Sequence, residues 1–153
     1  MPGSGYVPLH QVDISDKKVV YREATATGRI KLKPSTIDLI RKGKLQKGDP
    51  LSLAAAASVL AAKLTPSMVV LAHPLKIERT EPKVVVGDNS VDVTVRVAAH
   101  DKTGVEMEAL AAVAVALLNI WDVVKSYEKD SRGQYPTTVI QSIRVTRKVK
   151  RAS

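Results

Sequence analysis

The chain has 153 residues, with 24 Lys plus Arg against 15 Asp plus Glu, a net charge of +9 and no cysteine. That length suits one domain with a real hydrophobic core. The missing thiols exclude disulfides and thiolate metal sites and fit a reducing compartment, while the positive balance points to an anionic partner: nucleic acid, a membrane surface or a phosphorylated small molecule.

In chain order, residues 1–20 are polar and turn-rich and read as a loosely held N-terminal arm. They contain no continuous apolar run of the signal-peptide type. In GRIKLK (28–33), Ile30 and Leu32 alternate with Arg29, Lys31 and Lys33, the period-2 pattern of a half-buried strand. PSTIDLIRKG (34–43) predicts a short helix capped by Ser35 and stopped by Gly43. In KLQKGDPLSLAAAASVLAAKLTP (44–66), Asp49 is a natural N-cap and Pro50 suits the first helical position. This second helix should run to about Leu64 and end before Pro66, and its alanines let another backbone approach closely. Residues 75–101 read as a hairpin turning at Gly87-Asp88-Asn89, with Val91, Val93, Val95 and Val97 on one face. A long helix follows from about 104 to 127, then a last strand (137–150) with Val139, Ile143, Val145 and Val149 on one side. The apolar run from Ala109 to Leu118 is too short to span a bilayer, which takes about 20 residues; the protein is expected to be cytoplasmic. The order strand, helices, strand, strand, helix, strand is that of an α+β ferredoxin-like fold, an antiparallel sheet of about four strands packed with helices. From Ala109 to Leu118 the long helix is apolar on all sides, more than one sheet face covers. An oligomer joined through helices is therefore expected.

The candidate chemistry has bland competitors. Thr103-Gly-Val-Glu106 matches a capping box, in which Glu106 bonds back to the helix start. Glu108 lies roughly 200° round the helix from Glu106 and could be a solvated acid favoured by the helix dipole. Asp122 and Lys125, three apart, share a face and read either as a surface ion pair or as a tuned acid/base pair. Glu108 and Asp122 are separated by about 21 Å along the helix axis, so one helix cannot bring both to one small site. His73, before a proline, reads as structural, with no metal ligands at suitable spacing; no metal is expected. Lys63 suits a helix C-terminus. Lys47-Gly48-Asp49 precedes a helix N-terminus whose free N–H groups attract phosphate. The basic run RVTRKVKR at the end is a solvated tail, a nucleic-acid contact, or the phosphate side of a site.

Several stretches together resemble the cyclic pyranopterin monophosphate synthase family, accessory protein C of molybdenum cofactor biosynthesis. They are KGD (47–49), LAHPL (71–75), KTGVEMEAL (102–110), WDVVK (121–125) and KD (129–130), with VDISDK (12–17) and REA (22–24) in support. The resemblance covers essentially the whole chain as one synthase domain (1–153), with an arm at 1–20 and a tail at 149–153. It implies a lyase that rearranges 3′,8-cyclo-7,8-dihydro-GTP, the product of a radical SAM GTP cyclase, to cyclic pyranopterin monophosphate with release of pyrophosphate. It also implies a hexamer built as a trimer of dimers, with sites between subunits and no redox cofactor, nucleic acid or membrane. By motif, Asp122 matches the catalytic aspartate and Lys125 its acid/base partner. Leu71, Ala72 and His73, and Met107 with Glu108, match substrate-contact segments. Lys47, Lys63, Arg22 and Lys148 fall where the family places basic and catalytic side chains, and Glu106 is first a cap and second a site residue. Ala72 stands where many members have cysteine, SRGQYPTTV (131–139) resembles an insertion, and the end lacks the usual glycine-rich tail, which leaves Lys150 and Arg147 as rivals to Lys148. A basic ferredoxin-like nucleic-acid binder would explain the charge but not KTGVEMEAL, and it lacks the aromatic sheet motif of RNA-recognition domains. A non-catalytic assembly subunit would use Asp122 and Lys125 as an interface ion pair.

Overall fold

A computed structural model describes residues 5 and 7–152. The elements run β1 (Val20–Lys31), α1 (Pro34–Lys42), α2 (Pro50–Met68), β2 (Arg79–Val86), β3 (Ser90–Asp101), α3 (Glu106–Glu128) and β4 (Val139–Arg151). The strands form one antiparallel sheet in the order β2-β3-β1-β4. α2 and α3 pack on each other and on one sheet face, the expected α+β ferredoxin-like arrangement.

The core lies between that sheet face and the two helices. Val91, Val93, Val95 and Val97 of β3 point into it, as do Ala24, Ala26 and Ile30 of β1. α3 answers with Ala109, Ala112, Val113, Ala116, Leu117 and Ile120, all buried. α2 meets α3 through Ala54, Ala57, Ala61 and Ala62, small side chains that let two helix backbones come close. Gly28 marks a tight crossing: a Cβ there would sit 2.8 Å from Val113, 2.9 Å from Leu117 and 3.0 Å from Ile143. The other sheet face is polar, with Tyr21 and Arg79 bonded to Glu23, Arg96 to Glu81, and Arg29 to Asp92.

Several expectations need correction. β1 begins at Val20 rather than 28. Its inward positions before Ile30 are Arg22, Ala24, Ala26 and Gly28, which carry little of the apolar alternation that announces a strand. Lys33, not Ser35, is the N-cap of α1, with Pro34 pre-set at the first helical position. α2 continues through Pro66 to Met68; a proline in the last turn removes one hydrogen bond there, and Val69 N–H still reaches the Thr65 carbonyl at 2.8 Å. In β4, two irregularities in the β1 register and a positive φ of 60° at Ser142 break the alternation. Val139 and Val149 therefore pair with Lys31 and Glu23 toward the polar face, while Val145 pairs with Ala26 toward the helices. The strand runs to Arg151, so residues 149–151 are not a tail. The arm is tied down from Gln11 onward: Gln11 donates to the Leu71 and Ala72 carbonyls, His73 Nε2 lies 2.7 Å from the Val12 carbonyl, and Lys102 reaches Ser15. Both α2 and α3 are long and apolar enough, by length and composition, to cross a bilayer, so the short-run argument from Ala109–Leu118 does not hold. Here each buries a face in the core, as core helices of a folded domain do.

One face of α3 stays open. Met107 and Leu118 are 41% and 58% exposed, and Ala111 and Ala114 between them are only partly buried. That stripe links the two ends of the helix.

Candidate active site

At the C-terminal end of α3, the three-residue spacing aims Asp122 and Lys125 at each other, with Lys125 Nζ 2.9 Å from Asp122 Oδ1. Lys47, on the connection between α1 and α2, donates to Asp122 Oδ2 at 3.0 Å and to the Asp122 carbonyl at 3.2 Å. The carboxylate is thus clamped between two ammonium groups, each side chain about half exposed. Hydrogen bonds from Lys125 and then Lys47 hold the Asp122 carboxyl below its usual range, and Asp122 in turn raises Lys125. At neutral pH the trio is a charged base flanked by two acids, a set able to pass protons in both directions. Trp121 and Tyr135 stand beside it as an edge-on aromatic pair, with centroids 5.2 Å apart. With Leu118 and Ile140, Trp121 gives Asp122 and Lys125 an apolar wall.

The N-terminal end of α3 opens on a cleft of about 370 Å³, walled by Val12 and Ile14 of the arm, by Leu71, Ala72 and His73, and by Thr103, Gly104, Glu106, Met107 and Glu108. The helix starts at Glu106 behind Val105, which offers no side-chain cap, so the capping box does not form. Glu106 is the first helical residue instead of the third, and its carboxylate turns to Lys148 Nζ at 2.5 Å. It also lies over Gly104, where a Cβ would overlap it. Burial pushes the Glu106 carboxyl up, but Lys148, with help from Arg22, outweighs this and leaves it below its usual range. Arg22 is 5% exposed; its Nη2 reaches the Lys102 carbonyl at 3.3 Å, and its buried Nε meets no partner among the described residues. Glu108 is not the solvated acid of a first turn. It is 2% exposed, and burial, reinforced by the charges of Glu106 and Asp101, pushes its carboxyl up to about 6. This end therefore combines cations that could hold phosphate with a carboxyl poised near neutral pH.

The structure groups Arg22, Glu106, Glu108, Met107, Lys148 and Leu71–His73 at one end, and Lys47, Asp122 and Lys125 at the other. Lys148 faces the helices opposite Ala24, whereas Arg147 pairs with Thr25 on the polar face; Lys150, opposite Arg22, shares the helix-side face. Lys63 joins neither group; it lines a separate hollow with Val59, Leu75 and Ile77. The N–H groups that open α2 are taken by Asp49, which accepts from Leu51 at 2.9 Å and Ser52 at 3.3 Å, so the phosphate role suggested for that helix start is filled by the chain's own carboxylate.

The profile of the MoaC family matches residues 11–150, nearly the whole chain. The chain belongs to the MoaC family. It is 53% identical over 150 residues to a protein of Aeropyrum pernix named probable cyclic pyranopterin monophosphate synthase, covering 98% of this chain and 99% of that protein. Proteins of the same name from Pyrococcus horikoshii and Sulfurisphaera tokodaii are 51% and 50% identical, over 93% and 91% of this chain and 89% and 92% of theirs.

For this MoaC chain, three features near the Asp122 cluster lay outside the sequence reading. Tyr127 accepts the Gln46 N–H at 2.8 Å. Glu128, fully buried, accepts from Lys33 N–H, Thr36 and Thr138, the last at 2.7 Å. The segment after Asp130 is a built turn in which Asp130 Oδ1 accepts the N–H groups of Arg132 and Gln134, and it sets Tyr135 on Trp121. The sequence signal for that turn was available: an Asp followed by Gly133 marks a tight reversal.

Proposed function

We propose that this chain is a cyclic pyranopterin monophosphate synthase. It converts 3′,8-cyclo-7,8-dihydro-GTP to cyclic pyranopterin monophosphate and pyrophosphate, an early step of molybdenum cofactor biosynthesis, and acts as a phosphorus–oxygen lyase. The observation that carries the reading is the Asp122 carboxylate clamped by Lys125 and Lys47, in a chain about half identical to proteins given that name.

In this reading Asp122 takes protons and Lys125 and Lys47 give them, as opening the aminal ring and building the pterin require. Arg22 and Lys148 hold the triphosphate and stabilise the charge that moves onto the leaving pyrophosphate. Glu108, Met107 and the Leu71–His73 segment shape the cleft. The clamp and the cleft lie at opposite ends of α3, so the reading includes a homo-oligomer, a hexamer of three dimers, in which the open stripe of α3 is covered and a complete site takes residues from two subunits. The substrate comes from an upstream radical SAM cyclase in the cytoplasm.

The test is an assay with the cyclised dihydro-GTP, scored for pyrophosphate and pterin. Asp122→Ala should abolish turnover while the assembled mass stays unchanged. A variant that still turns over at the wild-type rate would remove Asp122 from the chemistry.

A further inference from the structure

Lys47 carries its ammonium on a long, flexible side chain that is about half exposed, so the backbone beneath it must be held if Nζ is to stay on Asp122. That backbone is the connection between α1 and α2, anchored on one side by buried Leu45. Two polar ties cross from it to α3: Lys47 Nζ to Asp122, and Gln46 N–H to the Tyr127 hydroxyl at 2.8 Å. The second tie lies one residue from the lysine. Tyr127 is itself fixed. Its ring packs against the core, its carbonyl accepts from Lys33 Nζ at 3.4 Å, and the next residue, Glu128, is the buried carboxylate that gathers Lys33, Thr36 and Thr138.

We propose that Tyr127 is a positioning residue for Lys47: its hydroxyl fixes the α1–α2 connection so that the Lys47 ammonium stays on the Asp122 carboxylate. This rests on the reading that places Lys47 and Asp122 in the reaction. The hydroxyl does little for the fold, because Gln46 is exposed and water can satisfy its N–H once the hydroxyl is gone. What is lost is placement, and misplacement of a reacting group by about 1 Å can cost about a hundredfold in rate.

The test compares wild type, Tyr127→Phe, Lys47→Ala and the double variant. Tyr127→Phe keeps the ring and should lower kcat about tenfold or more, with KM little changed. In the Lys47→Ala background the same change should do nothing further, because the group it positions is gone. A second readout needs no substrate. The charged groups facing Asp122 are Lys125 and Lys47, so its carboxyl, followed by carbon-13 NMR, should titrate higher in Tyr127→Phe than in wild type, toward its position in Lys47→Ala. Equal losses from Tyr127→Phe in both backgrounds, or an Asp122 titration that does not move, would overturn the proposal. Full activity in Lys47→Ala would overturn it together with that residue's role. If wild type does not convert the cyclised dihydro-GTP, the functional reading falls, and the titration alone decides whether Tyr127 positions Lys47.

Discussion

Glu108→Gln offers a direct check on the environment at the start of α3. The residue is 2% exposed and its carboxyl is pushed from 4.5 to about 6, by burial first and by Glu106 and Asp101 after it. At about 1.36 kcal/mol per pH unit, its ionised form costs the folded chain about 2 kcal/mol. Because the folded-state value lies above the ordinary one, the native state holds the proton more tightly than the unfolded chain. The associated stability is fully present below pH 4.5 and is lost as pH rises through about 6. Glutamine keeps the size and removes the charge. Its stability relative to wild type should therefore rise between about pH 4 and 7.5, by about 2 kcal/mol. Urea unfolding of both proteins at the two pH values, at one protein concentration, measures this. A difference that stays constant with pH, or a glutamine variant that loses ground at pH 7.5, would show that Glu108 is not held protonated by its surroundings.

Gly28→Ala should destabilise by about 1–3 kcal/mol, since the added methyl enters a packed crossing of β1 with α3; an unchanged urea midpoint would contradict that packing. Glu128→Ala should cost at least about 3 kcal/mol, because it orphans donors from Lys33, Thr36 and Thr138 at a fully buried position, and thermal unfolding reads the loss. The protein should elute well above its 16.5 kDa chain mass, and a fully active monomer would contradict a site shared between subunits. Mixing inactive Asp122→Ala and Arg22→Ala subunits under exchange should restore turnover, because some hybrid sites then hold both wild-type residues; continued inactivity would place the two residues in one subunit's site.

The parts of the fold legible in the sequence are those set by local periodicity. The valines at alternate positions in β3 and the alanine-rich stretches of α2 and α3 announce their elements and their order. The part of β1 before Gly28 is hidden because its inward positions are Arg22, Ala24 and Ala26, which carry little of the apolar alternation that announces a strand. The face of β4 was misassigned because its bulges are settled by pairing with β1, a contact between residues more than a hundred positions apart. The same division runs through the candidate site. Asp122 and Lys125 share a helix face by spacing alone, whereas Lys47 on Asp122, Lys148 on Glu106 and Tyr127 under Gln46 are tertiary contacts that no spacing reveals.

α3 holds two acids in opposite environments. Glu108 faces the protein interior, where solvation is lost and neighbouring acids repel it, so its proton is retained to about pH 6. Asp122 stands half in water between two ammonium groups and stays ionised. The difference lies first in burial, which strips solvent from Glu108 but not from Asp122, and then in which lysines the fold delivers. The connection after α1 brings Lys47 to Asp122, while β4 brings Lys148 to Glu106, and no cation among the described residues pairs with Glu108. About 21 Å of helix separates these ends, and the exposed stripe from Met107 to Leu118 runs between them. Under the proposed function, a second copy laid along that stripe would cover apolar surface and carry one subunit's Asp122, Lys125 and Lys47 toward the other's Arg22 and Lys148, so the physical demand for burial and the chemical demand for a complete site would call for the same contact.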